Sequence, residues 1–206
     1  MIITVPENEI RNALRGALKI FFKEPGALKH FNISQQGFLN SFQAFWILLI
    51  PIGISTLSER KALMAQLNMS LESFPSASYF GVSLIWGAAQ WLLVPFLLWL
   101  VADLIGIRSR YFAYVVARNW CSIIVGFAFA IPSLFHVTGL VPHEVTLLAQ
   151  LILLGFALVY YYQIARVTLD KEPFFCVALV SADLLIDIVI AEIQWAMVVG
   201  TLPHLQ

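Results

Sequence analysis

Along the chain, long apolar stretches are separated by short polar ones, and no stretch alternates residue by residue. A helix needs about 20 residues to cross a hydrocarbon core of about 30 Å. Five stretches reach or approach that length, at about 38–57, 79–105, 111–131, 145–165 and 173–200. The first opens on a polar turn (Asn40, Ser41, Gln43), and the third stops at Pro132. The fifth begins at Pro173, a favourable first helical residue. Barrel strands would be about 10 residues of strict alternation. The pattern therefore predicts an all-α, polytopic membrane helix bundle, a single domain over 1–206 with five transmembrane helices.

A different pattern precedes the first span. In residues 8–24, Arg11, Arg15, Lys19 and Lys23 recur every fourth position, with Ile10, Leu14, Ala17, Leu18, Phe21 and Phe22 between them. This predicts an amphipathic helix, capped by Asn8 and stopped at Pro25-Gly26. A basic stripe beside Leu and Phe suits the surface of an anionic leaflet, so the bilayer itself is an expected partner. The competing reading packs this helix on the ends of the spans. Glu7, Glu9 and Glu24 argue against an organelle-targeting peptide, which is normally poor in acids. The connector from Ser58 to Ser78 is expected to lie outside, in part as a short surface helix.

Charge then orients the bundle. The N-terminal segment and the second and fourth loops carry ten of the 12 Lys and Arg residues, and Arg60 and Lys61 are the other two. Cytoplasmic loops are enriched in Lys and Arg. The expectation is a multi-pass membrane protein with the N-terminus cytoplasmic and the C-terminus outside.

Composition adds exclusions. The chain is 60% hydrophobic and 12% charged, with 12 basic and 12 acidic residues. Soluble domains are about 25% charged, so a soluble enzyme, a disordered chain and a nucleic-acid binder are all excluded. Cys121 and Cys176 lie in apolar runs and read as packing residues. No CxxC, HExxH, GxSxG or phosphate-binding glycine loop is present, so no catalytic residue, metal or cofactor is expected. His136, His143 and His204 are expected to be exposed on the outer side.

Ionisable residues inside spans cost free energy unless paired or hydrated, and so mark function by default. The set here is Asp103, Arg118, Asp183, Asp187 and Glu192, with Asn119 beside Arg118. At 1.5 Å per residue, Arg118 lies roughly 10 Å into span three and Asp183 roughly 15 Å into span five. The two are close enough in depth to pair. Asp103, near the end of span two, is also placed within reach of Arg118. Asp187 is one helical turn beyond Asp183, and Glu192 points elsewhere. One reading is a structural Arg118–Asp183 salt bridge, with Asp187 bonded to Asn119, a tyrosine or water. The other is a proton or ion relay. The outer half of spans one to four offers almost no titratable groups, which favours the structural reading. Small residues Ser122, Gly126 and Ala130 form a row in span three suited to close helix packing, beside a second row of Ala113, Ala117 and Cys121.

Residues 97–120 run LLWLVADLIGIRSRYFAYVVARNW. A small-Leu-x-Gly step with Leu104 and Gly106 is followed by a basic turn, and Tyr111 and Tyr114 open the next span. This resembles the Ypt-interacting-protein (YIP) domain. The stretch from Arg15-Gly16-Ala17 to Phe38, with Phe21, Phe22, Pro25 and Ser34, is similar to bacterial members of that family. The Asp-Leu-Tyr-Gly-Pro signature of the eukaryotic branch is missing. The resemblance implies five spans, a cytoplasmic N-terminus, a place in a bacterial inner (cell) membrane and a non-enzymatic role. The expected function is that of a structural or accessory membrane protein that organises partner proteins or lipid. The alternative is a small transporter or channel subunit that uses Asp183, Asp187 and Arg118 in a polar intramembrane path.

Overall fold

A computed structural model of the chain describes residues 6–200. His204 lies outside them. The elements are helical: α1 (Glu7–Phe21), α2 (Gln35–Ser41), α3 (Ala44–Gln66), α4 (Ser76–Val101), α5 (Tyr111–Val137), α6 (His143–Leu169) and α7 (Pro173–Gly200), with short 3-10 turns at Ala27–His30 and Arg108–Arg110. Among the described residues, five helical segments are long and apolar enough to cross a membrane, the first formed by α2 and α3 together. The chain is a multi-pass membrane protein of the all-α class.

Span ends differ from the expectation. Segment 38–57 runs on as α3 to Gln66, so the first nine residues of the supposed outer connector are helix. Segment 111–131 passes through Pro132 and ends at Val137. The first extension opens on Ser58, Glu59, Arg60 and Lys61 and the second on Pro132 and Ser133 with His136 beyond, which hide a helix from a hydropathy reading. Span two is shorter than expected, because α4 stops at Val101 and leaves Asp103 in the turn beyond. There Gly106 takes φ of +67°, a conformation that only glycine adopts without strain.

The polar opening of the first span is explained by its partners. Asn40 Nδ2 donates to Glu9 of α1 at 3.0 Å, and Gln36 donates to Asn40 Oδ1 at 2.9 Å. Ser34 caps α2 by accepting from the Gly37 N–H.

Helix α5 is the hub. It packs along α3 on one side and α6 on the other, while α1 and α2 close around its first half. Helices α4 and α7 form a separate pair, and α7 also touches α6. The loops holding Arg108, Arg110, Arg166 and Lys171 gather with α1 at one end of the bundle, the basic end. The core lies there, around Tyr111, Tyr114, Val115, Val116, Ala117 and Trp120.

Helix α1 docks with Ala13, Gly16, Ala17 and Ile20, all buried. Tyr160 of α6 donates to the Ala17 carbonyl at 2.7 Å. The helix ends at Phe21, so Lys23 is not a fourth member of a helical stripe and sits at φ +57°. Arg11 and Arg15 are exposed, and Lys19 pairs with Glu24 at 2.9 Å. Leu18, Phe21 and Phe22 remain exposed beside them. The helix thus carries two apolar faces. One is spent on the bundle, as the competing reading had it, and one is open.

Candidate functional site

Five helices enclose a polar interior, and α5 supplies its floor. Arg118 and Asp183 meet there, with one guanidinium nitrogen 2.9 and 3.0 Å from the two carboxylate oxygens. Both side chains are about nine-tenths buried. The guanidinium also lies over the Tyr161 ring of α6, with 5.6 Å to its centroid. Tyr161 Oη is 3.2 Å from Ser122 Oγ. Charge pairing and an aromatic face together hold a cation in a place where an unpaired one would be very costly.

Two residues assigned to this cluster from the sequence lie elsewhere. Asp103 is exposed in the turn after α4, facing Arg108 at 3.9 Å. It is beyond the end of its helix and cannot reach Arg118. Asn119 is fully buried but points the other way, donating to Ser41 Oγ at 2.9 Å. One residue along a helix turns a side chain by about 100°, enough to separate Asn119 from Arg118. Asp187 does line the interior, but its partner is neither Asn119 nor a tyrosine. Gln90 of α4 donates to it at 2.8 Å.

The Ser122, Gly126, Ala130 row is not one seam. Ser122 meets α6 through Tyr161. Gly126 packs against α3, where a Cβ would lie 2.6 Å from Leu48 Cδ2. Ala130 is simply buried.

Beyond Arg118, toward the far end, the interior opens. Helix α5 keeps close company with α3 and α6, and the α4–α7 pair stands off from it. A cavity of about 430 Å³ fills the gap, with Arg118, Asp187, Gln90, Glu59 and Trp91 in its walls. A second cavity of about 420 Å³ follows toward the far end. The two share Glu59 and Gln194 in their linings, so polar side chains stand in the walls of both. Glu59 accepts from Tyr79 of α4 at 3.3 Å. His136, expected to be exposed, is buried with its Nδ1 2.8 Å from Ser58 Oγ. Its ring lies 5.2 Å from that of His143, and Lys61 donates to its carbonyl at 2.7 Å.

Glu59, Tyr79, Gln90 and His136 were not read from the sequence as interior residues. Gln90 carries no charge and was passed over in a search for ionisable groups. Glu59 and His136 lie in the helical extensions that hydropathy placed outside. The outer half of the bundle therefore carries titratable groups, Glu59 and His136 among them, that hydropathy leaves out of the spans. Among the described residues, no group of three or more His, Cys, Asp or Glu side chains converges to hold a metal ion. Comparison of the chain with family models, curated proteins and solved structures finds no match.

Proposed function

We propose that the chain is a small transporter-type membrane protein that admits a polar solute to a site at mid-bundle. The observation that carries this reading is the cavity walled by Arg118, Asp187, Gln90 and Glu59, which adjoins a second cavity toward the far end. Polar groups are costly inside a bilayer and tend to mark solute or ion pathways. A purely structural Arg118–Asp183 bridge would be satisfied by dry helix contacts. It would need neither Asp187 and Gln90 facing a void nor Glu59 between two of them. On the positive-inside reading of the loops, the basic end is cytoplasmic and the cavities face outward. The packed core around Tyr114 and Trp120 closes the inner side. The accessory role expected from the sequence is the second reading, favoured by the open apolar face of α1.

The two separate in an accessibility test that needs no knowledge of the solute. Gly87 lines the first cavity, and a Cβ added there meets no atom within 4 Å. In a background with Cys121 and Cys176 replaced by Ala, a Gly87→Cys variant in sealed vesicles is exposed to a membrane-impermeant thiol reagent from each side in turn. A transporter gives fast labelling from the far side and slower labelling from the basic side, because the site alternates. Labelling from the far side alone makes the cavity a static vestibule and returns the accessory reading. No labelling from either side means a dry bundle and sinks both the cavity and the transport proposal.

A further inference from the structure

We infer that the site at mid-bundle takes a small organic cation, an ammonium compound carrying apolar substituents. This rests on the transport reading and adds the chemistry of what is carried.

The first argument is charge. The basic group in the wall is Arg118, and Asp183 at 2.9 Å matches its charge. Asp187 and Glu59 line the same cavity, and neither has a basic side chain within 4 Å among the described residues. Asp187 has the amide of Gln90 and Glu59 has the hydroxyl of Tyr79, both neutral donors. Arg60 and Lys61 on the same helix as Glu59 are engaged at the far end, with Ser76 and with the His136 carbonyl. The cavity thus holds two carboxylates beyond those that are paired. Asp187 is half-buried, and a carboxylate partly withdrawn from water attracts a nearby cation more strongly than one in bulk water does.

The second argument is the remaining wall. Trp91, Phe45, Phe129 and Tyr161 put aromatic groups around the same space. Ring faces attract cations, most strongly where the pair is withdrawn from water. The indole Nε1 of Trp91 is buried and has no hydrogen-bond partner, so the ring is not tied by a polar bond at that edge. A carboxylate at one side and aromatic rings at others is a recognition set for an ammonium with carbon substituents.

The third argument is size and ligand geometry. A space of about 430 Å³ is within the usual range for small-molecule sites and far larger than a bare ion requires. A dehydrated metal cation wants several oxygen ligands at bonding distance. The described residues provide no such cluster.

The test is equilibrium binding to the purified full chain in mild detergent, separate from any flux measurement. The probe is benzyltrimethylammonium, with benzyl alcohol and benzoate as neutral and anionic comparators of similar ring size. Titration calorimetry should show saturable binding of the cation, weaker binding of the alcohol and none of benzoate. Asp187→Asn should weaken the cation by about tenfold or more, in line with loss of a close charge partner. Glu59→Gln, a change at an accessible residue outside the packed core, should weaken it as well, so the inference stays testable if Asp187→Asn does not fold. Binding of benzoate as tight as that of the cation overturns the inference. So does cation binding that survives both variants unchanged, or no binding of any probe to folded protein. In each of these cases, two-sided labelling of Gly87→Cys would still support transport of some other solute, so the two proposals fail separately.

Discussion

The two halves of α5 differ in what surrounds them. From Ala113 to Ile123 the helix is buried without a break, including its polar members Arg118, Asn119 and Ser122. From Ile124 to Phe129 no residue is fully buried. In the first half, α1, α2, α3 and α6 all press on the helix, and its polar side chains find named partners: Asp183 for Arg118, Ser41 for Asn119, the Arg118 carbonyl for Ser122. In the second half the α4–α7 pair withdraws and cavities take its place. Lipid offers no hydrophobic gain for closing a gap between helices. A polar gap filled by water or solute is therefore stable in a way that an apolar gap in a soluble core is not. One helix serves as a solid support at one end and as a cavity wall at the other.

Breaking the solid half should have the largest effect. Arg118→Leu leaves Asp183 buried without its partner. It should lower stability by about 3–5 kcal/mol, read as a loss of folded yield or a fall in the unfolding midpoint in detergent. Adding Asp183→Leu should restore most of it, since the bridge also carries a desolvation cost. Full stability in the single variant would show that the pair contributes little.

Gly126 sits at the boundary, on the face of α5 that meets α3. Gly126→Val must displace Leu48, and overpacking of this kind costs about 1–3 kcal/mol. If the unfolding midpoint does not move, the α3–α5 contact is looser than 2.6 Å implies. A smaller loss, about 1 kcal/mol, is expected for Ser41→Ala, which removes the acceptor of Asn119. Thermal unfolding of the purified variant checks it.

The hollow half predicts the opposite sign. Gly87→Ala meets nothing within 4 Å and replaces a mid-helix glycine. It should be neutral or raise stability by about 0.5–1 kcal/mol. A clear loss would mean that α4 packs more tightly than the cavity allows. Gly87 and Gly126 both border the first cavity, and their contrast measures the open α4 side of it against the packed α3–α5 side.

The spans could be read from the sequence because long apolar runs have few other stable uses. Their ends could not, and the errors share a cause. Hydropathy counts a residue as outside when it is polar, but Glu59 borders both cavities and His136 is buried against Ser58. The Arg118–Asp183 contact was legible because depth along two straight helices is simple arithmetic. The rotation of each helix was not, so Asn119 was assigned to the wrong neighbour. Asp103 was placed one turn inside a helix that ends at Val101. Gln90 was missed because an uncharged amide leaves no mark in a charge inventory, although it holds Asp187 at 2.8 Å.

The hydrogen bond from Tyr160 to the Ala17 carbonyl joins residues 143 positions apart. Synthesis at roughly 5–20 residues per second leaves an interval on the order of ten seconds between the two ends of that bond. Throughout it, the docking face formed by Ala13, Gly16, Ala17 and Ile20 has no α6 to receive it. The second apolar face, with Leu18, Phe21 and Phe22, needs no later part of the chain, only a bilayer. Helix α1, made well before α6, therefore reaches its place only once α6 is present, and its open face gives it somewhere to wait.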